Sequence, residues 1–278
     1  MGLRIRTNVA SQAVRKTLTS ADRVAGDSYE KLASGKRITK SADDAAGLGI
    51  AKKMEAEVRG YRMAQRNANA GISLVQVAEG GLNEATNIMT RMRELSIQAA
   101  SDTVGEKERG YLNLEYEQLL QEADRITKTT TFSGKELLTG NSDTGTMDFH
   151  VGAYGGEDNK ISFNADQTDA TVENLGISGT NIATKEDASE NLSKIDDAID
   201  TVSGFRANFG SIQSRLQSTI SNLDTMSVNT EAARSRIEDV DVAEETAKLA
   251  STNVMKQAGI STLSQANNLP NNALRLIG

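Results

Sequence analysis

The chain has 278 residues, room for one large domain or two ordinary ones with a real core, and no cysteine, which excludes a disulfide scaffold, a thiolate metal site and a cysteine nucleophile. A single histidine, His150, leaves little for acid–base or metal chemistry, and a net charge of −7 argues against nucleic acid as the main partner, whose phosphates need a basic footprint. One proline, Pro270, where ordinary usage gives roughly one residue in twenty, with no tryptophan and only five phenylalanines and five tyrosines, favours long uninterrupted helices.

Charge is unevenly spread. Residues 1–40 hold nine basic and three acidic residues, a net +6, whereas 141–200 hold thirteen acidic and three basic, a net −10. The basic charges alternate with small and polar residues, which reads as a solvated or subunit-facing helix rather than a nucleic-acid or membrane arm. No apolar run approaches a membrane span, and Met1-Gly2-Leu3-Arg4-Ile5-Arg6 lacks the apolar core of a cleaved signal. Gly2 is no myristoylation site, since Arg6 stands where Ser or Thr is needed. These signals alone read as cytoplasmic, although export without a cleaved signal leaves no such mark.

The first apolar seam is Val14, Leu18, Ala21, Ala25, Ser28, Leu32, at the 3,4 spacing of a coiled coil with a thin core. Ser34-Gly35-Lys36-Arg37 interrupts it, and Ser41 with Asp44 offers a capping box for the next helix. Asp43 and Asp44 point about 100° apart on a helix and cannot share a proton, so they read as cap and dipole partners, not a catalytic dyad. The second seam runs Ala51, Met54, Val58, Tyr61, Gln65, Ala68, Ile72, Val75 and hands over to Leu74, Ala78, Gly81, Ala85, Ile88, Met92, Leu95, Ala99. That predicts one helix of about fifty residues, roughly 75 Å long, and hence an elongated molecule.

A polar break at 101–106, with Thr103 and Glu106 as a second capping box, precedes a helix with the seam Leu112, Tyr116, Leu119, Ala123, Ile126 that folds back antiparallel. Residues 129–183 are irregular, with β-like runs at 146–151 and 160–163 around a loop long enough for a hairpin. Thr184 and Asp187 cap a helix bearing Leu192, Ile195, Ile199, Val202, Phe205, Phe209, Ile212, Leu216, Thr219, Leu223 and Met226. A final helix from about Glu231 carries Ala243, Ala247, Ala250, Val254 and Ala258 and ends at Pro270. The fold class is therefore mainly α: an elongated antiparallel helical bundle with long coiled-coil termini and a small β-hairpin region. Seams of alanine and serine bury too little to offset their ordering entropy, so both ends read as segments that order on self-association. The packing positions are Val14, Leu18, Ala21, Leu32, Ala247, Val254 and Ala258.

No catalytic, cofactor or metal motif emerges, and the chain reads as no enzyme. Gly152-Ala153-Tyr154-Gly155-Gly156 is followed by acids rather than Gly-Lys-Ser/Thr, and Ser133-Gly134-Lys135-Glu136 is no phosphate loop either. His150 sits in a predicted strand without a flanking nucleophile motif.

The blocks Leu32-Ala33-Ser34-Gly35-Lys36-Arg37-Ile38 and Ser41-Ala42-Asp43-Asp44-Ala45-Ala46-Gly47-Leu48-Gly49-Ile50-Ala51 stand near one end, with Arg66-Asn67-Ala68-Asn69-Ala70-Gly71-Ile72-Ser73 beyond them. Near the other stand Ala233-Arg234-Ser235-Arg236-Ile237-Glu238-Asp239-Val240-Asp241 and Ser264-Gln265-Ala266-Asn267. Through these, over roughly 1–140 and 184–278, the chain resembles bacterial flagellin, in a short form lacking the large variable outer domains. The resemblance implies a secreted, extracellular subunit that polymerises into the flagellar filament. Residues 1–40 and 235–278 would form the inner tube, and 41–234, with the hairpin region about 129–183, the outer tube. It also implies export unfolded through the flagellar type III apparatus and an export chaperone on the C-terminal helix. Further partners would be the filament cap and hook-filament junction proteins, with no small-molecule substrate. The metalloprotease insert of some members needs His-Glu-x-x-His, which one histidine excludes. In members bound by the flagellin-sensing Toll-like receptor, matching positions make Arg91, Leu95 and Glu115 receptor contacts, with Thr90 and Met92 departing from the pattern. The rivals are a hook-filament junction protein and a cytoplasmic coiled-coil scaffold.

Overall fold

The computed structural model describes residues 7–140 and 145–274, and the chain divides into two compact units, Met1–Ala56 with Asn229–Gly278 and Glu57–Val228. In the first, helix α1 (Val9–Ser34) starts where the Asn8 side-chain oxygen accepts the Ser11 amide at 3.0 Å. It stops where Gly35 turns left-handed at φ 70°, a conformation glycine adopts without a Cβ clash. Its partner is the last helix, here α5 (Val242–Leu274), running antiparallel: Asn8 meets Ala266, Asp22 meets Lys256 and Ser28 meets Glu245. The α1 seam from Val14 to Leu32 is withdrawn from solvent at every position.

On α5 the inner stripe is Glu245, Leu249, Thr252, Lys256, Gly259, Leu263 and Ala266, again at 3,4 steps, with Asn253 half-buried beside it. This corrects the sequence reading: Ala243, Ala247, Ala250, Val254 and Ala258 are all exposed. Apolarity misleads on a helix that is small and apolar on more than one face, because the inner stripe admits partnered polar groups. Ser28 Oγ donates to Glu245, and Lys256 meets Asp22 at 2.7 Å. The helix also begins at Val242 rather than near 231, where Asp241 Oδ1 accepts the amides of Ala243 and Glu244 at 2.9 and 3.2 Å. Residues 231–238 instead complete the preceding helix.

Nor does α5 end at Pro270; it continues to Leu274. Proline has no N–H for the Ala266 carbonyl, and Asn8 Nδ2 donates to that oxygen at 2.7 Å in its place. Asn8 thus serves two helices, capping α1 with its oxygen and mending α5 with its nitrogen. Asn8→Asp keeps the cap and loses the donor. It is expected to weaken the α1–α5 pair by about 1 kcal/mol, seen as faster amide exchange around Ala266 than in the parent.

The two breaks flanking these helices are stitched together. The Arg37 amide donates to the Glu238 carbonyl at 2.7 Å and the Val240 amide to that of Gly35 at 3.1 Å, while Lys36 and Glu238, 202 residues apart, form an ion pair. Helix α2 (Ala45–Ala99) then starts on Asp44, whose carboxylate accepts the Gly47 amide at 2.8 Å. Asp43 holds the Thr39 and Lys40 amides of the preceding turn. Asp44, not Ser41, is the cap, because residues 41–43 turn before the helix begins.

In the second unit, α2 packs antiparallel to α3 (Glu106–Thr129) and to α4 (Lys185–Glu238), which Arg91–Glu115 and Arg93–Asp196 ion pairs mark. The Thr103/Glu106 box does not form, since Gly105 precedes α3 with no side-chain cap and the Thr103 hydroxyl bonds Ser101. The turn is closed from the other side: the Arg109 guanidinium donates to the carbonyls of Ala99 at 2.7 Å and Ser101 at 3.1 Å, satisfying the end of α2. Thr184 does cap α4, its hydroxyl accepting the Asp187 amide at 3.1 Å. The α2, α3 and α4 seams line one core around Tyr116, Phe209, Leu82, Met89 and Met92. Met226 is the exception, 40% exposed, with Ser227 turned inward instead.

The middle segment supplies a hairpin to this core. Strands β3 (Thr146–His150) and β4 (Lys160–Asn164) pair antiparallel with Met147 opposite Phe163 and Phe149 opposite Ile161. Alternation sends Met147, Ile161 and Phe163 inward and leaves Asp148 and Ser162 hydrogen-bonded outside at 2.6 Å. A second hairpin, β1 (Thr131–Phe132) with β2 (Lys135–Glu136), was not expected. Two-residue strands leave no alternation to read, and the turn is made by left-handed Ser133 (φ 53°) and Gly134 (φ 78°).

Candidate assembly surfaces

The structure separates the seven expected packing residues. Val14, Leu18, Ala21 and Leu32 are half-buried on the inner stripe of α1, and Leu18 reaches Gly259 of α5. Ala247 and Val254 lie on the outer face of α5, where Val254 is 66% exposed and Val242 and Ile260 are also exposed, while Ala258 and Met255, though exposed, border the groove toward α1. Between the helices a groove of about 360 Å³ is lined by Val14, Leu18, Ala21, Met255, Ala258 and Gly259. A two-helix pair with so thin an interior and so apolar an exterior has surface left for further helices.

The polar lock of this pair is Glu245. The Ser28 hydroxyl, with Lys248 and Lys31 near it, holds its carboxyl below the ordinary glutamate range. A depressed folded-state value means the contribution is whole above about pH 5, starts to fall as unfolded-chain glutamates protonate near about 4.3, and is gone below the folded-state value. Amide protection in α1 and α5, taken relative to the intrinsic exchange rate at each pH, is therefore expected to fall as the pH drops below about 5, and less so in Glu245→Gln.

On the α2–α3 face, Arg91 donates from Nε and Nη2 to Glu115 Oε1 at 3.0 and 2.8 Å and from Nη1 to Glu94 at 3.0 Å. Those carboxylates raise the Arg91 pKa further, led by Glu115, and the cluster is exposed. Exposed pairs of this kind add little stability. The resemblance placed Leu95 beside them, but Leu95 is 1% exposed and belongs to the core, so the surface at this place is Arg91 with Glu115.

The hairpin reaches α2 at two helical glycines. A Cβ on Gly60 would stand 2.9 Å from Ala153 Cβ, and one on Gly71 would stand 3.1 Å from the Phe149 ring. Glycine inside a helix costs about 0.5–1 kcal/mol, and here it buys close approach. Tyr154 donates to Glu57 at 2.6 Å, and that hydrogen bond to a carboxylate, with burial and the negative charge, pushes its phenol up to about 12. Beside this contact opens a cleft of about 670 Å³ lined by Tyr61, Tyr154, Lys160, Arg215, Asn222 and Met226. Sequence reasoning missed it, although Gly60 and Gly71 were its signal. His150 has an ordinary structural place, its carbonyl accepting Asn67 Nδ2 at 2.9 Å.

Residues 5–143 match the family model of the bacterial flagellin N-terminal helical region, and residues 192–277 that of the C-terminal helical region. The chain is 41% identical over 248 residues to a flagellin of Halalkalibacterium halodurans, covering 89% of this chain and 90% of that one. It is 35% identical over 287 residues to flagellin FlaB2 of Treponema pallidum, covering 98% and 99%. Among solved structures it is similar to Bacillus cereus flagellin, with a TM-score of 0.51 and 28% identity over 61% of this chain and 94% of that one.

Proposed function

Because the chain belongs to the bacterial flagellin family and is a structural subunit of a flagellar filament, we propose that it completes its folding on joining that filament, α1 and α5 ordering against neighbouring copies. The observation that carries this is the α1–α5 pair itself: a thin, partly polar interior and an outer face with Val254 at 66% exposure. Val14, Leu18, Ala21 and Leu32 then hold the pair together, while Ala247, Val254 and Ala258 pack against other copies. Residues 1–40 with 235–278 line the inner tube, and 41–234 form the outer tube.

The family is structural rather than enzymatic, and the filament that its members build lies outside the cell. Passage there unfolded, through the type III apparatus with a chaperone on α5, fits a cysteine-free chain with weakly cored ends. The cap and junction proteins complete the partners. Amide exchange on the monomer and after seeding with filament fragments tests the reading. Fast exchange in α1 and α5 of the monomer, strongly slowed after seeding, is expected. Ends already protected in the monomer and unchanged by seeding would favour a coiled-coil scaffold.

The exposed Arg91–Glu115 cluster supports a second role, recognition of the monomer by the flagellin-sensing Toll-like receptor. Arg91→Asp is expected to abolish receptor signalling by the monomer while leaving its fold intact; unchanged signalling would refute it.

A further inference from the structure

We infer that the bridge between the two breaks, Lys36 with Asp239 beside the buried Glu238 carboxylate, is a register clamp that fixes which residues of α1 and α5 meet when the terminal pair orders. This rests on the filament reading and adds how one pairing is selected from several.

The helices themselves select weakly. Both inner stripes repeat at 3,4 steps, so a shift of α5 by seven residues, about 10 Å at about 1.5 Å per residue, lays stripe on stripe again. Leu18, which meets Gly259, would then face Thr252 or Ala266, both also on the inner stripe. The polar partners along the pair resist little. Asp22 with Lys256 is a partly exposed ion pair of the kind that adds little stability. Glu245 keeps Lys248 of its own helix at 3.3 Å even when moved off Ser28. Nor does the chain linking α1 to α2 forbid a shift, since residues 35–44 span up to about 33 Å when extended, whereas only 239–241 join α4 to α5.

The bridge removes that slack by tying the loose link to the tight one. To its two backbone hydrogen bonds Arg37 adds a third contact, from Nη2 to the Ile237 carbonyl at 2.7 Å. Counted outward from Lys36 and Asp239, the partners fall almost level: Ser28 and Glu245 at eight and six residues, Asp22 and Lys256 at fourteen and seventeen, Asn8 and Ala266 at twenty-eight and twenty-seven. Glu238 makes the bridge selective. It is 3% exposed and its Oε1 meets Lys36, while the other cation, Arg234, stands 4.0 Å from Oε2 and is held by Glu231 at 2.6 Å. A slip that drew Lys36 away would leave a buried carboxylate without its partner, and fixing register is the best-attested use of buried polar and ionic groups.

Because the chain has no cysteine, register is read by disulfide trapping in the full chain, in filaments grown from sheared parent filaments. Leu18→Cys is combined with Gly259→Cys for the observed register, and with Thr252→Cys or Ala266→Cys for a seven-residue slip in either direction. A disulfide needs Cα atoms within about 7 Å, so each combination reports one register. With the clamp intact, only the Gly259→Cys combination is expected to link. Lys36→Met is expected to raise the slipped links at least about tenfold, and Lys36→Arg, which keeps the cation, to leave them at the parent level. Mere loss of stability would weaken the observed link without raising the slipped ones; that result, or slipped links unchanged in Lys36→Met, would overturn the clamp. Where a variant does not grow, oxidation of its monomer, which traps transient pairing, gives the same ratio of observed to slipped links. A parent chain that fails to elongate from its own seeds would sink the filament reading, while the ratio in its monomer still decides the clamp.

Discussion

Removing residues 242–278 is expected to abolish seeded filament growth while leaving the Glu57–Val228 unit folded. That unit has its own core of Tyr116, Phe163 and Phe209, with none of its buried residues drawn from α5. The loss falls on α1. Without Leu249, Leu263 and Ala266 its inner stripe of Val14, Leu18 and Ala21 faces water, and a helix of 26 residues with so small a seam does not hold alone. Elongation should drop at least about a hundredfold, equivalent to about 3 kcal/mol of subunit binding. Circular dichroism of the truncated monomer should keep the cooperative melt of the second unit. Growth at the parent rate would show that the terminal pair is not the assembly element.

The long helices were legible because their interiors are built on one repeating stripe. From Ala51 to Ala99 every seam position of α2 is buried or half-buried, as are Leu112 to Ile126 on α3. The hairpin was legible from alternation at 146–151 and 160–163. What failed were choices between near-equivalent local signals. Ser41 and Thr103 each stand three residues before an acid, but a box forms only if the helix starts directly after the hydroxyl residue, and both helices start later, behind Asp44 and Gly105. On α5 almost any stripe is small enough to face α1, and the choice was made by long-range partners: Ser28 for Glu245 and Asp22 for Lys256.

The surfaces were less legible than the fold. Leu95 matched a motif by position, yet its place in the chain puts it on the buried stripe of α2, one step of the same seam that was read correctly as core. Gly60 and Gly71 carried information about the cleft, since a glycine on a long helix asks for a close neighbour, but the neighbours are Ala153 and Phe149, far away in sequence. Charge blocks were visible in the composition.

Phe209→Ala is expected to destabilise the second unit by about 3–5 kcal/mol, a large part of the roughly 5–15 kcal/mol that a domain possesses. Phe209 is fully buried, and its ring stands 5.3 Å from that of Phe163 at 46°, so truncation removes the wall against which β4 packs. Urea unfolding followed by tyrosine fluorescence, usable because the chain lacks tryptophan, should show the lower midpoint. Phe209→Leu should cost far less, since it keeps most of the volume. The hairpin should respond before the helices do, with faster exchange at the amides of β3 and β4. Phe163→Ala alone should do the same, and the double mutant should fall short of the sum because both truncations open one shared cavity. Full additivity would mean that the two rings stabilise the unit independently and that the hairpin is anchored elsewhere, at Gly60 and Gly71.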